Sequence, residues 1–406
     1  MLSKTFSRSL KSYTVLKPFI DFEARLCKIS ELKSNIRRRK LNVNVDEIVG
    51  FHSNLKKLED VKISLEESRE QIRIRLSRME HLMSDDSEEK RKLKISAKMT
   101  REDYKQIKSS ALDLEQNLIG LMMGLPDDLH PKTGDVDEVI HETKVASGGT
   151  ESHLDIGKRL DVLDFRSHWG YFLLGKAAAL ELESVANLSK QLKNDGFVGF
   201  SNPDFSKEIV VDGSEGVNSS VLPLTKFEDD QDTTFITGGA SLLPFLSYFT
   251  KSVVQVEDLP LKCYSTGRQY SYKQQPRFGL YDAPQTNACQ IFVLSSPSDQ
   301  DGQLPNLMSM LTHFYESFGV HFRVVVKSAS SLCVAESLRV SFELFSPHFN
   351  QFFECGHISM YGTNLSKNLN IHCGGGNTNN FLSIMSGTVF RVAPLLACAL
   401  ETKHSL

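Results

Sequence analysis

Three groups of residues in this sequence are of types that could do chemistry. The first is Gly374-Gly375-Gly376, followed by Asn377, Thr378, Asn379 and Asn380, whose backbone amides could cradle a phosphate. It lacks the Gly-Lys-Ser/Thr ending that completes a nucleotide loop, so it reads better as a turn. The second is two Cys/His neighbours, Cys355 with His357 and His372 with Cys373. A thiolate–imidazole nucleophile or a zinc site needs such groups brought together in space. No CxxC and no His-x-x-x-His accompanies them, so core or surface positions are expected, with no metal. Glu354 could hold a cation, but a solitary carboxylate would hold it weakly. The third group is cationic: Arg69, Arg73, Arg75 and Arg78, then Lys90, Arg91, Lys92, Lys94 and Lys98. These could meet the phosphates of RNA, although acids alternate with them as on any solvated helix face.

The elements that must carry these groups follow from periodicity. From about Asp46, Leu58, Val61, Leu65, Ile72, Leu76, Met79 and Met83 recur at helical spacing, with charge between them. A polar break follows at Ser84-Asp85-Asp86-Ser87, and Thr100 with Asp103 offers an N-cap for a second helix. That helix runs through Tyr104, Ile107, Ala111, Leu114, Leu118 and Leu121 until Gly124 and Pro126 stop it. Each stripe is narrow enough for one partner, which predicts an antiparallel coiled-coil hairpin over 26–128. Residues 129–155 are polar and Gly-containing and read as a linker. In the body, 156–406, a helix is predicted over 177–192 and an apolar one over 392–400. Strands are predicted near 234–237, 290–294, 322–326, 339–345 and 369–373. Long connections between them give an α+β fold: a mixed or antiparallel sheet flanked by helices.

Composition narrows the function classes. Of 406 residues, 40% are hydrophobic and 24% charged, which is ordinary for a globular chain of two or three domains. Lys plus Arg number 47 against 50 Asp plus Glu, a net charge of −3, so nucleic-acid contact must come from a local basic face. Seven scattered cysteines read as free thiols in a reducing compartment, and no membrane span is expected. Residues 1–20 carry Lys4, Arg8, Lys11 and Lys17 and no acid, with Leu2, Phe6 and Leu10 at helical spacing. That is the composition of a mitochondrial presequence, taken here as 1–25, and it predicts a matrix location.

The order of these parts resembles the seryl-tRNA synthetase family, and most of all the seryl-tRNA synthetase-like mitochondrial proteins of insects. LNVNVDEIVGFHSNLKKLEDVKISLEESREQIR is similar to that family's first arm helix, the arm being its tRNA-binding element. HLDIGKRLDVLDFRSHWGYFLLGKAAALELESVANL followed by GFVGFSNPDF is similar to the first class II motif. There Gly196, Phe197 and Pro203 match residues that build the family's dimer interface. EDLPLKCYSTGRQYSYKQQPRFGLYDAPQTNACQIF and LSIMSGTVFRVAPLLACALE fall where the second and third motifs belong. The resemblance implies a class II synthetase-like body over 156–406 with a homodimer or a heterodimer with genuine mitochondrial seryl-tRNA synthetase.

The chemical residues diverge where the scaffold does not. Arg268 and Glu354 are retained. The family's motif-two glutamate is Tyr270, its triphosphate arginine is Asp282, and the acid for the serine ammonium is Gln290. Its Thr-Ala-Glu reads Thr237-Gly238-Gly239, the metal-site serine reads His357, and the γ-phosphate arginine falls on Pro394, with Arg391 one turn earlier. Each charge-assisted hydrogen bond removed costs about 1.5–3 kcal/mol. Four losses, discounted for non-additivity, cost about 5 kcal/mol of transition-state stabilisation, or about four powers of ten in rate. The expectation is a pseudoenzyme with no cofactor, serving as a binding subunit for mitochondrial translation. Two alternatives remain open: an adenylating enzyme for another acid or a residual seryl-tRNA ligase, and an organelle nucleic-acid-binding factor with no synthetase partner.

Overall fold

A computed structural model describes residues 18–80, 88–145, 149–167, 170–214, 217, 221–224, 233–271, 275–374 and 380–403. Most of the expected presequence, the Ser84–Ser87 break and the 375–379 part of the glycine run lie outside them. The chain divides into two compact units: an arm, Ile20–Ile36 with Leu41–Leu125, and a body, Met1–Phe19, Arg37–Lys40 and Pro126–Leu406.

In the arm, helices α1 (Val45–Glu80) and α2 (Glu88–Met123) form an antiparallel hairpin. Ala111 and Leu118 are buried in its seam, with Leu58, Leu65, Ile72, Leu76, Tyr104, Ile107 and Leu114 half-buried. Val61 and Leu121, read as seam positions, are 44% and 41% exposed; the inward register takes the aliphatic stem of Lys62 instead of Val61. Thr100 caps nothing. It lies inside α2, where its hydroxyl donates to the Ser96 carbonyl at 2.9 Å, the bond a threonine makes in mid-helix.

The body is built on one eight-stranded sheet. Its strands are β1 (Glu138–Thr143), β2 (Val198–Phe200), β3 (Leu261–Tyr270), β4 (Gln285–Ser295), β5 (Phe322–Val326), β6 (Leu338–Ser346), β7 (Gln351–Gly362) and β8 (Ser383–Arg391). Their spatial order is β1-β5-β6-β7-β8-β4-β3-β2, antiparallel except for the β2–β3 pair. Side chains alternate between two apolar layers, so Tyr264 and Ile291 belong to one and Cys263 and Phe292 to the other. Helices α3 (His153–Arg159), α4 (Gly175–Asn194), α6 (Leu304–Glu316) and α8 (Val392–Lys403) cover the first layer. Helices α5 (Leu242–Phe249) and α7 (Asn364–Leu369) cover the second. A buried His153–Glu401 pair at 2.7 Å, with the Tyr281 hydroxyl donating to the other Glu401 oxygen at 3.0 Å, ties α8 to α3.

Two expectations change here. The stretch read as a linker contains β1, whose polar residues pair antiparallel with β5 at the sheet edge, where one face stays wet. Of the strand expected over 369–373, Leu369 ends α7, Asn370 closes that helix in the left-handed conformation, and only His372–Cys373 form a strand. Among the described residues, no helix is long and apolar enough to cross a membrane.

Candidate functional site

The centre of the sheet carries a polar cavity of about 210 Å³, walled by Arg339 of β6, Glu354 and His357 of β7, Thr388 and Arg391 of β8, and Gln290 of β4. Glu354 and His357 are three apart, as are Thr388 and Arg391. In a regular strand such pairs point to opposite faces. Two bulges bring them together. The register slips once between Phe342/Glu343 and their β7 partners Gly356/Glu354, and once between Cys289/Gln290 and their β8 partners Phe390/Thr388. The extra residues, Cys355 and Val389, are pinned from behind: the Cys355 thiol donates to the Arg391 carbonyl at 3.1 Å, and the Tyr315 hydroxyl donates to the Val389 carbonyl at 2.8 Å.

This geometry turns the charged groups on one another. Arg339 donates to both oxygens of Glu354, at 2.7 Å from Nη2 and 3.3 Å from Nε, and the Ser341 hydroxyl adds a bond at 2.8 Å. Arg339 Nη1 reaches Glu336 at 3.1 Å, behind the cavity wall. Burial would raise the Glu354 pKa, but Arg339 and then His357 outweigh it and hold the carboxyl well below the usual range. Burial would likewise lower Arg339; Glu354 and Glu336 reverse that and fix it as a cation. His357 sits 3.2 Å from Glu354, yet burial and Arg339 together lower its pKa. It is therefore neutral and donates from Nδ1 to the carboxylate. Arg391 donates to the Glu354 carbonyl oxygen.

The residues singled out from the sequence fall into three places. Gln290 and Tyr270 line the cavity; the Gln290 amide donates to Ser386 at 2.9 Å and accepts from Thr388 at 2.8 Å. Gly239 has backbone closed over it. A Cβ there would lie 2.9 Å from the Asn202 carbonyl oxygen, so a glutamate cannot return without moving the chain. Arg268 points elsewhere, 3.8 Å from Glu181 of α4. Asp282 does not line the cavity either: its carboxylate accepts from the Gln275 backbone N–H at 2.5 Å and closes its own turn. Pro394 is buried in the first turn of α8, where a missing N–H leaves no helical bond unmade. Glu354, expected to be a solitary carboxylate, is the most heavily bonded acid of the site.

At the first class motif, Gly196 ends α4 with φ +84°, and Phe197 is buried with the Lys262 ammonium 5.2 Å above its ring; Pro203 is exposed. On the arm, Arg75 and Arg78 are exposed, Arg73 pairs with Glu70, Lys92 pairs with Glu88, and Arg69 stacks over Tyr104 at 4.6 Å. Arg91 and Lys94 are exposed, whereas Lys90 is buried and does not present its charge to solvent.

Arg339 was not anticipated. The signal available was an arginine inside the apolar run of 338–345, since a charge in a buried strand needs a partner on its neighbour.

Residues 226–403 match the model of the tRNA synthetase class II core domain of the Gly, His, Pro, Ser and Thr enzymes. The body carries a class II synthetase core. Around that core, the whole chain is 26% identical to the serine–tRNA synthetase-like protein Slimp of Drosophila melanogaster, over 98% of this chain and 87% of that one. It is 23% identical to the mitochondrial serine–tRNA ligase of Mus musculus, over 86% of this chain and 72% of that one. The fold matches seryl-tRNA synthetase from Pyrococcus horikoshii, solved with ATP, at a TM-score of 0.80 and 16% identity, covering 95% and 94% of the two chains. The fold is thus shared with a synthetase solved with ATP.

Proposed function

We propose that this chain is a seryl-tRNA synthetase-like protein of the mitochondrial matrix that does not activate serine and acts as a binding subunit. The observation that carries the reading is the saturated Glu354. Its two oxygens are taken by Arg339, Ser341 and His357, so it has no capacity left for a substrate ammonium or a metal. Neutral Gln290 and the closed backbone at Gly239 supply no replacement. The likeness to an insect synthetase-like protein and to mitochondrial ligases supports the family and the compartment.

The subunit would pair through the surface around the first class motif. Phe172, Leu174, Leu182 and Val198 are exposed there, Leu182 by 71%, an apolar load that a partner would cover. That partner is a second copy or the genuine mitochondrial seryl-tRNA synthetase, and the arm's exposed arginines would contact RNA. Two measurements test this. The purified chain given ATP, serine and mitochondrial tRNA should form no seryl-tRNA above background; formation would overturn the inactive reading. Tagged at native level in mitochondria, it should co-purify with the authentic synthetase; recovery of homodimer alone would remove the heterodimer.

A further inference from the structure

The charged groups that line the cavity are two cations and one anion: Arg339, Arg391 and Glu354. Glu336 takes one nitrogen of Arg339 from behind and does not line the space. Arg339 is therefore spent on carboxylates, and His357 is neutral. Arg391 is different. It donates to one backbone carbonyl oxygen and, among the described residues, pairs with no carboxylate, so most of its five N–H donors remain uncommitted at the cavity wall. On the same wall, two positions read above as family acids are a phenol and an amide, Tyr270 and Gln290. Each change removes a repulsion felt by an anion.

We propose that this cavity binds a small carboxylate lacking an α-ammonium group, with Arg391 as its counter-cation. With the buried Glu336 counted, Arg339, Arg391, Glu354 and Glu336 sum to zero, so a monovalent carboxylate adds less uncompensated charge than a divalent phosphate, and the planar guanidinium fork of Arg391 fits a carboxylate's two oxygens. The cavity, about 210 Å³, has room for a small organic acid such as a short hydroxy or keto acid. The inference shares the saturation of Glu354 with the proposed function, but it concerns binding and holds whichever subunit is the partner.

Calorimetric titration of the full chain with 3-hydroxypropionate and with serine, which differ by the α-ammonium group, tests it. The expected result is 3-hydroxypropionate binding at least tenfold tighter than serine and tighter than inorganic phosphate. Arg391→Gln should weaken it tenfold or more, while Arg277→Gln, which removes an exposed cation elsewhere, should leave it unchanged. Serine binding as tightly or tighter, phosphate binding tighter than the carboxylate, or no binding by the folded chain would each overturn the assignment. The comparison of probes on the unmodified protein decides the matter even if Arg391→Gln fails to fold. Seryl-tRNA formation would sink the inactive reading, whereas this one is decided separately by which of the two probes binds tighter.

Discussion

Arg73 on the arm and Arg339 in the cavity hold their carboxylates in the same way, by a fork of two hydrogen bonds. On the arm, Nε and Nη2 of Arg73 lie 2.9 and 2.8 Å from the oxygens of Glu70. In the cavity, Nε and Nη2 of Arg339 lie 3.3 and 2.7 Å from those of Glu354. The side chains of the first pair are 76% and 53% exposed, those of the second 19% and 27%. Water competes for Arg73 at every moment, so it can release Glu70 and meet a phosphate at little cost. Arg339 is far less exposed, and releasing Glu354 would leave that carboxylate without its main counter-charge in a largely desolvated place. Identical chemistry thus yields an interchangeable surface at one place and a fixed internal cluster at the other.

The sharpest way to break this comparison is to remove one partner from the buried pair. Glu354→Gln should lower stability by about 3–5 kcal/mol in urea unfolding, because Arg339 loses its two-bond carboxylate partner and keeps only Glu336. A loss comparable to that of an arm pair would mean that water screens the two pairs alike. Leu118→Ala in the arm seam should cost about 2–5 kcal/mol of arm stability, read by hydrogen exchange of α2, while Val61→Ala on the same arm should cost almost nothing. Gly239→Glu should cost about 1–3 kcal/mol through crowding against the Asn202 carbonyl and should not restore serine activation. A stable variant would show that the backbone there yields.

Acid titration separates the groups within the cavity. His357 has a folded pKa below its unfolded value of about 6.5, so stability present above that value declines as pH falls below it. Glu354 is depressed too, so a second decline begins below about pH 4.3 and runs down through its folded pKa. His357→Gln should flatten the first stage, as seen in urea midpoints across pH. The smallest effect belongs to the arm: Glu70→Gln should leave the melting temperature unchanged at any pH while freeing Arg73 for RNA, seen as a modest gain in affinity at low salt.

What was legible in the sequence follows the same division. The arm helices, β5 over Phe322–Val326 and the start of α8 at Val392 could be placed because their apolar periods are unbroken. β7 and β8 were missed because bulges at Cys355 and Val389 interrupt alternation, and those same bulges assemble the cavity. Motif order singled out Tyr270 and Gln290, and both line the cavity. The consequence of Asp282 could not be read from it, since its orientation is set by a bond to Gln275 within its own turn. Nor could the role of Arg339, which depends on which β7 residue lies across from it.

Serine-dependent exchange of pyrophosphate into ATP tests the central claim most directly, because it reports activation without tRNA or partner. The account predicts that the folded, purified chain shows no exchange above its serine-free background, at any magnesium concentration. Exchange that saturates with serine would contradict it, for then Glu354, or a carboxylate not recognised as such, must be able to hold the substrate ammonium.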